Sequence, residues 1–99
     1  LEFSAKKTTI KSVKSKKKKA ATLTWKKVSG AEGYVIQYSR KSNLTGGKKL
    51  TIKKGSTISK TIKKLKSGKK YYFRIRAYKT IGGKKVYTDY SSKKVVRVK

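Results

Sequence analysis

The pattern of apolar and polar residues predicts an all-β domain in which two antiparallel sheets close over one core. Three observations carry that reading. Tyr71, Phe73, Ile75 and Ala77 alternate with Tyr72, Arg74 and Arg76, a period of two that sends the first set to one face of a strand and the second to the other. Other short runs alternate in the same way, separated by turn residues at intervals of about ten positions. No stretch shows the three-and-four spacing of an amphipathic helix.

About seven strands follow from this pattern. Thr8 to Val13 is the first, anchored by Ile10 and Val13; their spacing is not two, which predicts a bulge between them. Lys14 to Lys19 reads as a solvated turn. In the second strand Ala21, Leu23 and Trp25 point inward, alternating with Thr22, Thr24 and Lys26. Val28 to Gly33 is a loop by its glycines. Tyr34, Ile36 and Tyr38 alternate with Val35, Gln37 and Ser39 in the third strand. Arg40 to Lys49, with Asn43 and Gly46-Gly47, is a long polar connection, and Leu50 and Ile52 mark a short fourth strand.

Ser56 to Lys63 is expected at a sheet edge. Ile58 and Ile62 share a face with Lys60 between them, and at an edge an inward-leaning lysine reaches water and discourages edge-to-edge pairing. A turn at Ser67-Gly68 opens the central strand, Tyr71 to Tyr78. Ile81 to Lys85, centred on Gly82-Gly83, forms a hairpin loop. Val86 to Lys99 returns, interrupted at Tyr90-Ser91, with Val96 and Val98 as the last inward pair.

A chain of 99 residues suits one domain with one core. Lysine and arginine number 31 against 3 acids, a formal net charge of +28. Charge on that scale with modest apolar content approaches the composition of disordered chains. The ordered alternation argues for a fold, because a disordered chain has no reason to space its apolar residues. Self-repulsion should weaken that fold at low salt.

Cysteine and histidine are absent, which removes disulfides, thiol nucleophiles, the usual general base and the usual zinc ligands. The acids Glu2, Glu32 and Asp89 stand in separate segments and do not form the carboxylate pair of a glycosidase. Gly46-Gly47 and Gly82-Gly83 lack the Gly-x-x-x-x-Gly-Lys frame and lie between strands, so they read as turns. No catalytic, cofactor-binding or metal-binding residue is assigned, no cofactor is expected, and an enzyme is not expected. No run reaches the roughly 18 apolar residues of a membrane span, and no signal peptide is recognisable. Residues 1–7 read as a tail whose Leu1-Glu2-Phe3 start resembles a remnant of cloning, and residues 8–99 as the domain. The chain is expected to be a monomeric piece of a longer protein, with neighbouring domains.

Over about Thr8 to Lys99, the chain resembles a fibronectin type III domain, in the lysine-rich form found in surface and secreted proteins of Gram-positive bacteria. The resemblance rests on Trp25, on Gly33-Tyr34-Val35-Ile36-Gln37-Tyr38, on Leu65 followed by Tyr71, Phe73, Ile75 and Ala77, and on Tyr90-Ser91 before the last strand. Proline is missing from the turn at Ser67, where the family often has one, and no Arg-Gly-Asp stands in the 81–85 loop. The resemblance implies an immunoglobulin-like sandwich of that topology, with Trp25 packed across the core. It also implies a tyrosine corner, in which the Tyr71 hydroxyl bonds back towards Leu65. The expected core is Trp25, Tyr34, Ile36, Leu65, Tyr71, Phe73 and Ile75.

The implied role is that of a non-catalytic extracellular module, at a cell surface or in a cell wall, serving as spacer or adhesive unit. Its charge would attract anionic wall polymers such as teichoic acids, acidic glycans or, without sequence specificity, nucleic acid. Two alternatives are a dedicated polyanion-binding domain and an accessory domain of a secreted wall- or glycan-degrading enzyme. Tyr72, Arg74, Arg76 and Tyr78, with Arg97 on the far strand and Val35 and Gln37 alongside, form the candidate ligand face. Aromatic rings alternating with guanidinium groups there would stack on sugars or bases while the charges hold anionic groups. The competing reading of that row is cross-strand packing of large side chains.

Overall fold

The computed structural model describes residues 7–99, and its strands follow the alternating runs. Among the described residues they are β1 (Ile10–Lys14), β2 (Ala21–Trp25), β3 (Gly33–Ser39), β4 (Lys48–Ile52), β5 (Ser59–Ile62), β6 (Lys70–Ile81), β7 (Lys84–Tyr87) and β8 (Lys94–Arg97). One sheet has the order β1-β2-β5; the other runs β4-β3-β6-β7, with β8 also paired to β6. Every pairing is antiparallel. The result is the two-sheet sandwich that the alternation requires. Of the expected tail only Lys7 falls within the described residues.

The core lies between the sheets. Ala21, Leu23 and Trp25 enter it from β2, Tyr34 and Ile36 from β3, and Tyr71, Phe73, Ile75 and Ala77 from β6; Ile10, Leu65 and Val98 close its ends. The Trp25 and Tyr34 ring centroids are 5.5 Å apart at 59°, a tilted arrangement that suits two ring quadrupoles. The Tyr34 hydroxyl accepts from the Val28 N–H at 3.0 Å and donates to the Gly55 carbonyl at 2.9 Å, so its polar end is satisfied. Trp25 Nε1 has no such partner, so burial of the large ring offsets a lost hydrogen bond. At the other end the Lys66 N–H donates to the Tyr71 hydroxyl at 2.8 Å, the local bond of a tyrosine corner.

Several local features differ from the sequence reading or sharpen it. The β1–β2 register slips between Ile10 and Ser12, which is the bulge that the Ile10–Val13 spacing demands. Lys60 lies opposite Leu23 on β5, an edge strand, and remains exposed. Ile58 does not join Ile62 in the core: it precedes β5, is 43% exposed, and contributes its carbonyl to the Trp25 N–H. Leu44, inside the expected polar connection, is buried. The hairpin turn is tighter than 81–85, with Gly82 and Gly83 both at positive φ between β6 and β7, the geometry that suits a two-residue hairpin.

The largest difference is the return strand, which splits in two and brings the strand total to eight. Between the pairs Tyr78↔Tyr87 and Phe73↔Lys94, β6 advances 5 positions while the return segment advances 7. The 2 extra residues leave no regular ladder for the middle of β6. Side-chain hydroxyls supply it instead. The Ala77 N–H donates to Thr88 Oγ1 and the Ile75 N–H to Ser91 Oγ, both at 3.0 Å. In return the Thr88 and Ser91 N–H groups donate to the Ala77 and Ile75 carbonyls. β6 therefore stays bonded along both sides although its partner is broken, because a buried backbone donor left unmet costs free energy.

Two variants test this account. Trp25→Ala should lower unfolding free energy by about 3–5 kcal/mol in a denaturant melt, since the cavity it leaves spans both sheets. Ser91→Ala orphans the buried Ile75 N–H and should cost about 1–3 kcal/mol; a loss near zero would show that the Ser91 hydroxyl is not completing the ladder.

Candidate polyanion-binding face

The residues expected to form a ligand face all come from β6 and its neighbours. In β6 the even positions point away from the core, and β3 lies antiparallel beside them: Ser39 opposite Tyr72, Gln37 opposite Arg74, Val35 opposite Arg76 and Gly33 opposite Tyr78. On the other side Val95 lies opposite Tyr72 and Arg97 opposite Lys70. The register therefore brings Tyr72, Arg74, Arg76 and Tyr78 into one row on the outer surface of the larger sheet, with Arg97 at its end.

That row is partly closed: Tyr72, Arg74 and Arg76 are half-buried and Tyr78 is buried. Arg76 Cζ stands 3.8 Å from the Tyr87 ring centroid and 4.6 Å from that of Tyr90, and Arg74 Cζ lies 3.9 Å from the same Tyr90 ring. The two guanidinium groups thus alternate with two tyrosines in one stack, favoured because each cation sits over the negative face of a ring. Arg74 Nε also donates to Gln37 Oε1 at 2.7 Å. Arg76 Nε and the Tyr90 hydroxyl are shut off from solvent without a partner.

Tyr78 is the clearest departure from the expected open row. It lies on the outer face by register, yet it is 1% exposed. A Cβ placed on Gly33 would strike the Ile52 carbonyl and come within 2.8 Å of the Tyr78 hydroxyl, so the ring lies flat across a glycine with no side chain to lift it. The Tyr87 ring, 6.1 Å away at 52°, and Lys85 Nζ, 4.7 Å from the ring centroid, cover the rest. Val35 is buried beneath the same layer. Tyr72 remains half-exposed. Arg97 is exposed, and its Nη1 donates to the Gly68 carbonyl at 2.8 Å, outside the stack.

The residues that the sequence reading missed are Tyr87 and Tyr90. Tyr87 lies opposite Tyr78 in the regular ladder. Counting by twos from it sends Tyr90 to the other face, because the irregular stretch that carries Tyr90 over the arginines is set by pairing with β6. The only available signal was two arginines on one face with no acid on the strands paired beside them. Of the acids among the described residues, Glu32 is engaged elsewhere: its Oε1 accepts the Thr80 N–H at 3.0 Å. At the far end of the sandwich, Tyr38 stacks on Phe73 at 5.9 Å. Burial, and then the neighbouring Tyr71 phenol, push the Tyr38 hydroxyl above its ordinary value of 10.0. Among the described residues no group of three or more acids, histidines or cysteines is placed to hold a metal ion. No helix among them is long and apolar enough to cross a membrane.

Known structures share this architecture. The chicken CNTN1 FN1-FN3 domains align with a TM-score of 0.73 at 22% identity, covering 89% of this chain. The chain spans 29% of that structure's length. The fn3 domain of the human collagen alpha-1(XX) chain gives 0.73 at 15% identity, over 94% of this chain and 84% of that one. A computationally redesigned β-sandwich protein gives 0.72 at 18% identity, over 94% and 89%. No curated protein matches by sequence. The fibronectin type III domain model matches residues 8–93, and the chain belongs to that family.

Proposed function

We propose that the chain is a non-catalytic module of a longer extracellular or cell-surface protein, one bead that serves as a spacer or adhesive unit and holds to anionic polymers. The observation that carries this reading is the net charge of +28, set by 31 basic residues against 3 acids. Most of the bases are lysines on exposed positions, hydrated point charges that attract anions without selecting their geometry. The outer sheet supports the spacer role, since Arg74 and Arg76 are engaged in stacking with Tyr87 and Tyr90. The chicken CNTN1 structure, which spans FN1-FN3 domains, is more than three times the length of the aligned chain and is consistent with use as one unit among several. The lysine-rich composition, with no cysteine, fits the Gram-positive surface proteins that this sequence resembles, and so a cell-wall setting.

Retention on carboxymethyl-dextran beads tests the reading. Binding should be clear at about 50 mM salt and fall steeply by about 200 mM, since each displaced counterion adds to the salt slope. No retention at the lower salt would contradict it. Arg74→Ser/Arg76→Ser should weaken retention no more than Lys26→Ser/Lys27→Ser, because the stacked guanidinium groups are not the contact. A clearly larger loss for the arginine pair would return the ligand face to the outer sheet.

A further inference from the structure

Charge and backbone strain coincide at one end of the sandwich. The turn between β1 and β2, the connection from β3 to β4 and the connection from β5 to β6 meet there. The last two border a cleft of about 810 Å³ rimmed by Arg40, Lys41, Lys48, Lys63, Lys64 and Lys66. A second cleft of about 670 Å³, lined by Lys16 to Lys19, shares Lys63 and Lys64 with the first. The two adjoin at that lysine pair and together form a basic track, and no carboxylate among the described residues lines either.

The backbone of these loops is unusual in one respect. Among the described residues, the non-glycine positions with left-handed φ are Lys19 at 60°, Leu44 at 63° and Lys64 at 62°, and the remaining left-handed positions are glycines. All three lie in the loops of the track. Leu44 has a packing reason, since its side chain is buried. Lys19 and Lys64 are exposed and have none. A lysine is disfavoured relative to glycine at such a φ, so two charges are kept where the backbone opposes them. The Leu65 N–H donates to the Lys19 carbonyl at 3.0 Å, and the Lys19 N–H to the Lys99 carbonyl at 2.9 Å. The first bond holds the Lys19 backbone beside the Lys64–Leu65 peptide, and strain held in place by its surroundings is found at binding sites.

We propose that this track is the site at which the module binds a linear acidic polysaccharide, its carboxylate or sulfate groups following the lysines. The proposal rests on the polyanion reading above and assigns it a place and a ligand class. Nucleic acid fits less well, because single strands are held by bases stacked on open aromatic faces. Of the rings that line the cleft, Tyr71 is 7% exposed and half-buried Tyr38 has one face against Phe73, which leaves no run of open faces for successive bases. Besides the charges, the wall includes Thr45 and the Gly46-Gly47 backbone, exposed groups suited to sugar hydroxyls.

Lys19→Gly/Lys64→Gly gives a direct test, since it removes two charges while easing the backbone. Lys53→Gln/Lys54→Gln removes two exposed charges at the opposite end, and Lys41→Gln/Lys63→Gln repeats the track experiment without glycine should the first pair melt below the parent. Affinity for dextran sulfate, measured by titration at about 100 mM salt, should fall roughly ten-fold for a track pair and no more than about two-fold for the distant pair. Equal losses would overturn the site while leaving the polyanion reading intact. Failure of the parent to bind dextran sulfate even at low salt would overturn that reading as well. Binding of neutral dextran as tightly would remove the role of charge, and equal affinity for polyuridylate at matched charge would overturn the choice of polysaccharide.

Discussion

Folding here must bury one apolar core against a net charge of +28, with no cysteine to close a loop covalently. At low ionic strength the balance is tight. The described chain measures 45 × 24 × 19 Å, and at 0.01 M salt the Debye length of about 30 Å exceeds both shorter dimensions. Each lysine then repels those on the opposite sheet as well as its neighbours. At about 0.15 M the screening length falls to about 8 Å, and repulsion becomes a local matter. The core that opposes it is built from a few large side chains, above all Trp25, Tyr34 and Phe73, which is why single positions carry so much of the stability.

β6 is where this constraint meets the topology. One face of the strand supplies the core column, and the other supplies the stack of Arg74 and Arg76 with Tyr87 and Tyr90. Stacking lets two cations lie at a crowded surface without an acid, by using ring faces in place of carboxylates. The same arrangement depends on the broken return strand. Thr88 and Ser91 keep the ladder intact through the irregular stretch, and the extra length brings Tyr90 over the arginines. With those arginines stacked, exposed lysines are the cations most open to a ligand, and those around Lys63 and Lys64 line the two clefts of the track.

The inward half of the fold was legible in the sequence because period-two alternation is local. Ala21-Leu23-Trp25 and Tyr71-Phe73-Ile75-Ala77 need nothing beyond their own spacing to declare a buried face. The bulge between Ile10 and Val13 showed itself by breaking that spacing. The outer face was less legible because its burial depends on partners far along the chain. Tyr78 closes over Gly33, 45 positions earlier, and alternation alone marks it as outward. Ile58 misled for a related reason: its spacing to Ile62 fits one face, but the strand begins after it. The basic track was invisible as a unit, since its lysines come from three separate connections and each run alone reads as a solvated turn.

The thermal midpoint as a function of sodium chloride tests most directly whether a small apolar core is holding together a strongly self-repelling shell. Between about 0.01 and 0.15 M the midpoint should climb by several degrees as repulsion is screened. A flat or falling curve would mean that the lysines do not oppose folding, and the balance described here would be wrong.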